Sequence, residues 1–220
     1  MKCILSTKKL NSEQRNLFRN DEVTLVDYDA IQITFVDFEI PENAKNIIFT
    51  SKNAVKAFLT KYDTNLYKTK YTIFCVGKKT KALLERNGHK VKKMANYASE
   101  LSEFIQKHHK NDVFYFFCGN LRREELPLSL KAADISLFEV KTYETELILT
   151  KFDQKWSKIL FFSPSGVQSF TTYNSINVSE AICIGDTTAS EARKHTSNVT
   201  IAKETTIESV IETAIEKLKV

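Results

Sequence analysis

Short apolar runs punctuate the chain, and between most of them the apolar positions return every three or four residues. The runs CILS, VTLVDY, IIFT, TIFCVG, KVKKM, VFYFFC, ISLFEV, KILFFS, AICIG and NVTIA are rich in β-branched and aromatic residues, which predicts strands. The periodic stretches between them predict helices, ending in TIESVIETAIEKLKV. Strands alternating with helices indicate parallel sheets covered on both faces, so the expected class is α/β.

Two of these segments repeat. ILFFSPSGVQSF, from Ile159, echoes IIFTSKNAVKAF, which starts 112 residues earlier at Ile47. ICIGDTTASEARKHT, from Ile182, echoes FCVGKKTKALLERNG, from Phe74, with the two glycines 108 residues apart. Similar offsets mean that a whole unit is repeated and not one motif. Five strand candidates fall between about residues 39 and 138, enough for one doubly wound sheet, but only three follow residue 150. Three parallel strands leave too much edge and too little core. The two N-terminal strands supply what is missing. The expected organisation is a discontinuous domain of residues 1–30 plus 148–220 and an inserted domain of residues 39–138. Both are doubly wound and flavodoxin-like, joined by a two-stranded hinge at residues 31–38 and 139–147. A hinge between two such domains is expected to make a cleft.

Composition narrows the function. With 220 residues, 42% hydrophobic and 27% charged, the chain suits one large or two small globular domains. The N-terminus carries no signal-peptide core and no run approaches a membrane span, so a cytoplasmic protein without membrane contact is expected. Cys3, Cys75, Cys118 and Cys183 are widely spaced in apolar surroundings and read as core thiols. The four histidines form no ligand set: His108 and His109 are adjacent, while His89 and His195 read as surface residues, so no metal is expected. The net charge of +5 is modest, but Lys78, Lys79, Lys81, Arg86, Lys90, Lys92 and Lys93 share their span with Glu85 alone among acids. That cluster is a solvated helix face or the wall of an anion-attracting cleft. The aromatics lie in apolar runs away from it, which argues against nucleic acid.

Gly77, Gly119 and Gly185 directly follow apolar strands, Gly166 comes shortly after another, and Gly88 reads as a helix stop. In open α/β sheets the strand C-terminal ends form the ligand crevice. Hydroxyls occupy the same places: Thr50 and Ser51, Thr80, Ser163 and Ser165, Thr187 and Thr188. Each can serve as a plain N-cap, or can join helix-end amides in holding carboxylate or phosphate groups. Neither a GxxxxGK[ST] loop nor GxGxxG is present, so nucleotide binding has no motif support.

The ordered series FTSKNAV, VGKKTKALLERNG, FFCGNLRREELP, VKTYET, FFSPSGV and IGDTTASEA resembles the uroporphyrinogen-III synthase family along nearly the whole chain. The resemblance implies two α/β domains on a two-stranded waist. It also implies cyclisation of linear hydroxymethylbilane to uroporphyrinogen III, with inversion of ring D and loss of water, without metal or organic cofactor; few large exposed apolar runs and a flexible waist make a monomer the expectation. The implied substrate carries eight carboxylates. By the same resemblance Tyr143 donates or relays the proton that the departing hydroxyl needs. Ser51, Thr80, Asn120, Arg123, Ser163, Ser165, Thr187 and Thr188 are the implied substrate-binding residues. Arg123 can instead bridge Glu124 or Glu125. Where the family often has Pro-Thr before its last helix, this chain has Thr205 and Thr206, and Lys78 and Lys79 put unusual positive charge beside Gly77. A hinged, non-catalytic protein that binds or senses a small anion is the competing expectation, and Tyr143 is the residue that separates the two.

Overall fold

The structure, a computed structural model, describes residues 2–18, 23–62 and 70–218. Its strands are β1 (Lys2–Ser6), β2 (Val23–Asp27), β3 (Ile31–Phe35), β4 (Asn46–Phe49), β5 (Thr72–Val76), β6 (Val91–Ala95), β7 (Phe114–Gly119), β8 (Leu137–Leu147), β9 (Lys158–Phe161), β10 (Glu180–Cys183) and β11 (Val199–Ile201). The helices are α1 (Ser12–Asn16), α2 (Lys52–Lys61), α3 (Lys78–Arg86), α4 (Ala98–His108), α5 (Glu125–Ala132), α6 (Pro164–Tyr173), α7 (Asp186–Ala192) and α8 (Ile207–Glu216). Two compact units result, one made of Met1–Gln32 with Glu146–Val220 and the other of Ile33–Thr145.

The discontinuous unit has a five-stranded sheet in the order β11-β10-β9-β1-β2, every neighbouring pair parallel. Numbered within the unit, this is the 2-1-3-4-5 order of flavodoxin-like folds. The inserted unit has the order β3-β8-β7-β4-β5-β6, with parallel pairing from β8 to β6. Reading β9, β10, β11, β1 and β2 against β4, β5, β6, β7 and β8 gives the same spatial sequence twice. Registers agree as well: Ile159 pairs with Leu5 and Ala181, as Ile47 pairs with Tyr115 and Ile73. The repeated segments therefore hold equivalent places in sheets whose chain order is circularly permuted.

Burial on both faces explains the unbroken apolar runs. In β4, Ile47 and Phe49 point into one core with Phe58 and Phe117, while Ile48 joins Phe74, Phe114 and Phe116 in the other. In the discontinuous unit, Leu5, Ile159 and Phe161 line one face with Val167 and Phe170, and Ile4, Leu160 and Ile182 line the other with Val210 and Ile211. All ten sequence-derived strands appear. ISLFEV and the crossing segment FEVKTYETEL, however, run as one 11-residue strand, β8.

Cys75, Cys118 and Cys183 are buried and unbridged, and burial pushes their thiols up to about 11, 11 and 12. His89 is not a surface residue: it is 1% exposed, with its ring against Phe58. Gly88, at φ 80°, ends α3 in a Schellman turn, in which the N–H of His89 donates to the Leu84 carbonyl at 3.0 Å and that of Gly88 to Glu85 at 2.9 Å. That turn swings the imidazole inward.

One ion pair is nearly closed to solvent. Lys158 opens β9 directly beside Glu180, which opens β10, and their side chains meet at 2.5 Å. Glu180 also accepts from Thr200 Oγ1 at 2.6 Å and lies 3.2 Å from Lys217. Burial alone would raise the carboxyl, but the donors from Lys158, Thr200 and Lys217 more than offset it and hold the group below its ordinary value. A depressed carboxyl stabilises the fold above its unfolded-state value and ceases to do so as pH falls through the folded one. Glu180→Gln should therefore cost roughly 2 kcal/mol at pH 7. In urea melts that difference should shrink toward zero below about pH 4.

Candidate active site

In the inserted unit, the C-terminal edge of the parallel strands gathers Ser51, Gly119, Asn120 and Tyr143. Ser51 follows β4 and caps α2, its Oγ accepting from the Asn53 N–H at 3.1 Å. The hydroxyl of Tyr143, on β8, donates to the same Oγ at 3.0 Å. An oxygen that accepts twice still has its own O–H to give, so Ser51 can pass a hydrogen bond outward. Burial lifts the Tyr143 phenol above its ordinary value; the Ser51 hydrogen bond pulls the other way and the neighbouring Cys118 adds a smaller push upward. The phenol is therefore a neutral donor at physiological pH.

Gly119 makes this geometry possible. It pairs with Tyr143 across a register shift between Cys118 and Gly119. A β-carbon at Gly119 would lie 2.4 Å from Cε2 and 2.5 Å from Cζ of the Tyr143 ring. Asn120, next in sequence, is engaged differently from the expectation. Its Oδ1 accepts from the Thr145 N–H at 2.8 Å and its Nδ2 donates to the Thr145 carbonyl at 3.2 Å. Asn120 thus clamps β8 two residues beyond the tyrosine. Arg122, and not Arg123, takes the neighbouring acids, Glu124 and Glu139. Arg123 is exposed and makes no ion pair among the described residues.

Not every hydroxyl is a cap. Ser51, Ser163 and Thr206 cap α2, α6 and α8 through their side chains. The N-caps of α3 and α7 are Gly77 and Gly185, which offer no side-chain acceptor. Of the two roles open to Thr80, Thr187 and Thr188, capping is excluded: they lie inside the first turn, with the N–H of Thr80 and of Thr188 bonded to the cap glycine carbonyl at 3.1 Å. Thr80 and Thr188 are buried, while Thr187 is exposed. Neither cap glycine therefore supplies a side-chain acceptor to the first turn of α3 or α7. Lys78 and Lys79 open α3, whereas Asp186 opens α7. Within the basic cluster, Lys81 pairs with Glu85 at 3.6 Å and Lys93 lies 4.6 Å over the Phe104 ring.

At the C-terminal edge of the discontinuous unit, Ser163 Oγ accepts from the Gly166 N–H at 3.0 Å and lies 3.1 Å from Ser165 Oγ. Thr7, absent from the sequence-derived set, faces the same turn. A β-carbon on Gly166 would sit 3.4 Å from its Oγ1, which itself donates to the Leu160 carbonyl at 2.7 Å. Lys8 and Lys9, also missed, are exposed beyond the end of β1. The signal was present, since STKK directly follows a strand as the other hydroxyls do.

The sequence profile of the family described as Uroporphyrinogen-III synthase HemD matches residues 18–212. No protein of curated function matches the chain by sequence. The fold is similar to that of uroporphyrinogen-III synthetase from Helicobacter pylori 26695, with a TM-score of 0.70 at 20% identity over 99% of this chain and 100% of that one. It is also similar to a mutant uroporphyrinogen III synthase from the extremely thermophilic bacterium Thermus thermophilus, with a TM-score of 0.73 at 11% identity over 100% and 99% of the two chains. The wild-type Thermus enzyme in another crystal form gives 0.59 at 12% identity over 100% and 98%. At such identities the likeness speaks for the fold, and the profile, which spans most of the chain, speaks for descent: the chain belongs to the uroporphyrinogen-III synthase family.

Proposed function

We infer that the protein closes hydroxymethylbilane into uroporphyrinogen III, inverting ring D and eliminating water. Family membership supports the reaction, and the hydrogen-bonded series Asn53 N–H, Ser51 Oγ, Tyr143 OH is the observation that carries the mechanism. The hydroxymethyl oxygen must leave with a proton, and the electron-rich pyrrole expels it to give an azafulvene. Ser51 donates to the departing oxygen while Tyr143 donates to Ser51. The proton taken up by the oxygen is balanced by the one the pyrrole nitrogen gives back. With its phenol held above the ordinary value, Tyr143 supports this step as a polarising donor and not as a strong acid.

The substrate-binding roles divide by burial. Arg123, Ser165 and Thr187 offer groups to substrate carboxylates, favoured by the positive dipole end at the glycine-capped start of α3. Ser163 holds the turn that presents Ser165, and Thr80 and Thr188 shape the first turns in which they are buried. Asn120 positions β8. Lys78, Lys79, Lys8 and Lys9 add long-range attraction for a polyanion. The rest of the acceleration comes from bringing the ends of a flexible chain together. A cytoplasmic monomer is part of the same proposal.

Freshly prepared hydroxymethylbilane incubated with the purified protein should yield the type III isomer; the type I isomer alone would overturn the reading. Tyr143→Phe should lower kcat by about 10- to 100-fold. Activity within about twofold of wild type would remove the tyrosine from the chemistry. Gly119→Ala should lower activity at least as far, because the new methyl group displaces the Tyr143 ring. It should also cost about 1–3 kcal/mol from overpacking, visible as a drop in Tm.

A further inference from the structure

A cavity of about 580 Å³ opens in the discontinuous unit at the opposite edge of the sheet from Ser163 and Gly185. It lies where residues 152–157 enter β9 and residues 174–179 enter β10, and its wall includes Phe152, Trp156, Phe170, Tyr173, Asn174 and Val178. None of its lining residues belongs to the proposed active site. Its size is within the usual range for small-molecule sites.

The floor is aromatic and firmly held. Phe152 meets Trp156 edge-to-face at 5.5 Å and stacks near Phe170 at 6.3 Å. Asn174 laces the two loops: its Oδ1 accepts from the Phe152 N–H at 2.8 Å, and its Nδ2 donates to the carbonyls of Thr150 at 2.6 Å and Phe170 at 2.9 Å. Ser179 Oγ donates to the Trp156 carbonyl at 2.7 Å. Trp156 is 5% exposed, yet its indole Nε1–H finds no acceptor among the described residues. A buried indole N–H ordinarily has one. At the mouth, Tyr173 is 59% and Val178 85% exposed, which leaves apolar surface uncovered. The charges of Asp153 and Lys155 on the wall cancel, so the site favours neither sign.

We propose that this cavity binds an uncharged, planar heteroaromatic molecule of one or two rings, whose ring nitrogen or carbonyl oxygen accepts from Trp156 Nε1. The exposed ring of Tyr173 provides stacking surface, and because Trp156 Nε1 is shut from the cavity, binding requires the indole to turn toward the ligand. The site is separate from catalysis and stands or falls independently of the proposed reaction.

Trp156 is the sole tryptophan, so protein labelled with 5-fluorotryptophan gives one fluorine resonance from the cavity itself. Adenosine, nicotinamide and quinazolin-4-one serve as flat probes, and cyclohexanecarboxamide as a non-aromatic control with the same kind of acceptor. At least one flat probe should shift the resonance saturably, with a Kd below about 1 mM. The control should not. Val178→Arg, which fills the mouth from an exposed position, should weaken that binding at least tenfold and leave type III product formation unchanged. The proposal is overturned if none of the three probes saturates, if the control binds equally well, or if Val178→Arg binds as tightly as wild type.

Discussion

The Tyr143 ring sits where a β-carbon on the neighbouring strand would stand, and Gly119, having none, leaves that space open. The gap falls at the end of β7, where the register shifts by a residue, so the phenol comes to the rim of the sheet and not into its core. Asn120 then ties the strand down on the far side by binding both backbone groups of Thr145. Three consecutive features, a missing side chain, a register shift and an amide clamp, fix the position of one hydroxyl. Ser51, the N-cap of α2, receives it at 3.0 Å. A residue that caps a helix thereby receives the phenol, with its backbone already held by the fold.

The same sheet built twice, with the chain entering at different strands, explains why the device at strand ends recurs. Ser51 and Ser163 occupy one equivalent position, Gly77 and Gly185 another. What has diverged is the charge next to the glycines, with two lysines on α3 and an aspartate on α7. Helix-end amides favour anions in both units, but the lysines strengthen that preference in one and Asp186 weakens it in the other. The two equivalent helix starts thus differ in their attraction for anions.

The strands and their class were legible because burial on both faces leaves a plain record in the sequence, as in VFYFF of β7. Serine caps were equally legible at Ser51 and Ser163, each directly after a strand. Thr80, Thr187 and Thr188 misled because a glycine cap has no side chain to advertise it, so the nearest hydroxyl took its place in the reading. His89 was misread because its burial arises from the turn at Gly88 and the distant Phe58, neither of which is a property of the histidine's own neighbours. Asn120 looked like a binding group since its partner, the Thr145 backbone, is 25 residues away. Local patterns report on local structure, and the clamp is not local.

The three buried sulfurs have a consequence beyond packing. With values near 11 to 12, only about one in ten thousand or fewer of these thiols is ionised at neutral pH. The thiolate is the form that attacks peroxides and alkylating electrophiles, so Cys75, Cys118 and Cys183 react slowly while the sheets stay shut. Each unit therefore carries a built-in timer of its own breathing: the rate at which iodoacetamide finds Cys183 measures excursions of one sheet, and the rates at Cys75 and Cys118 those of the other.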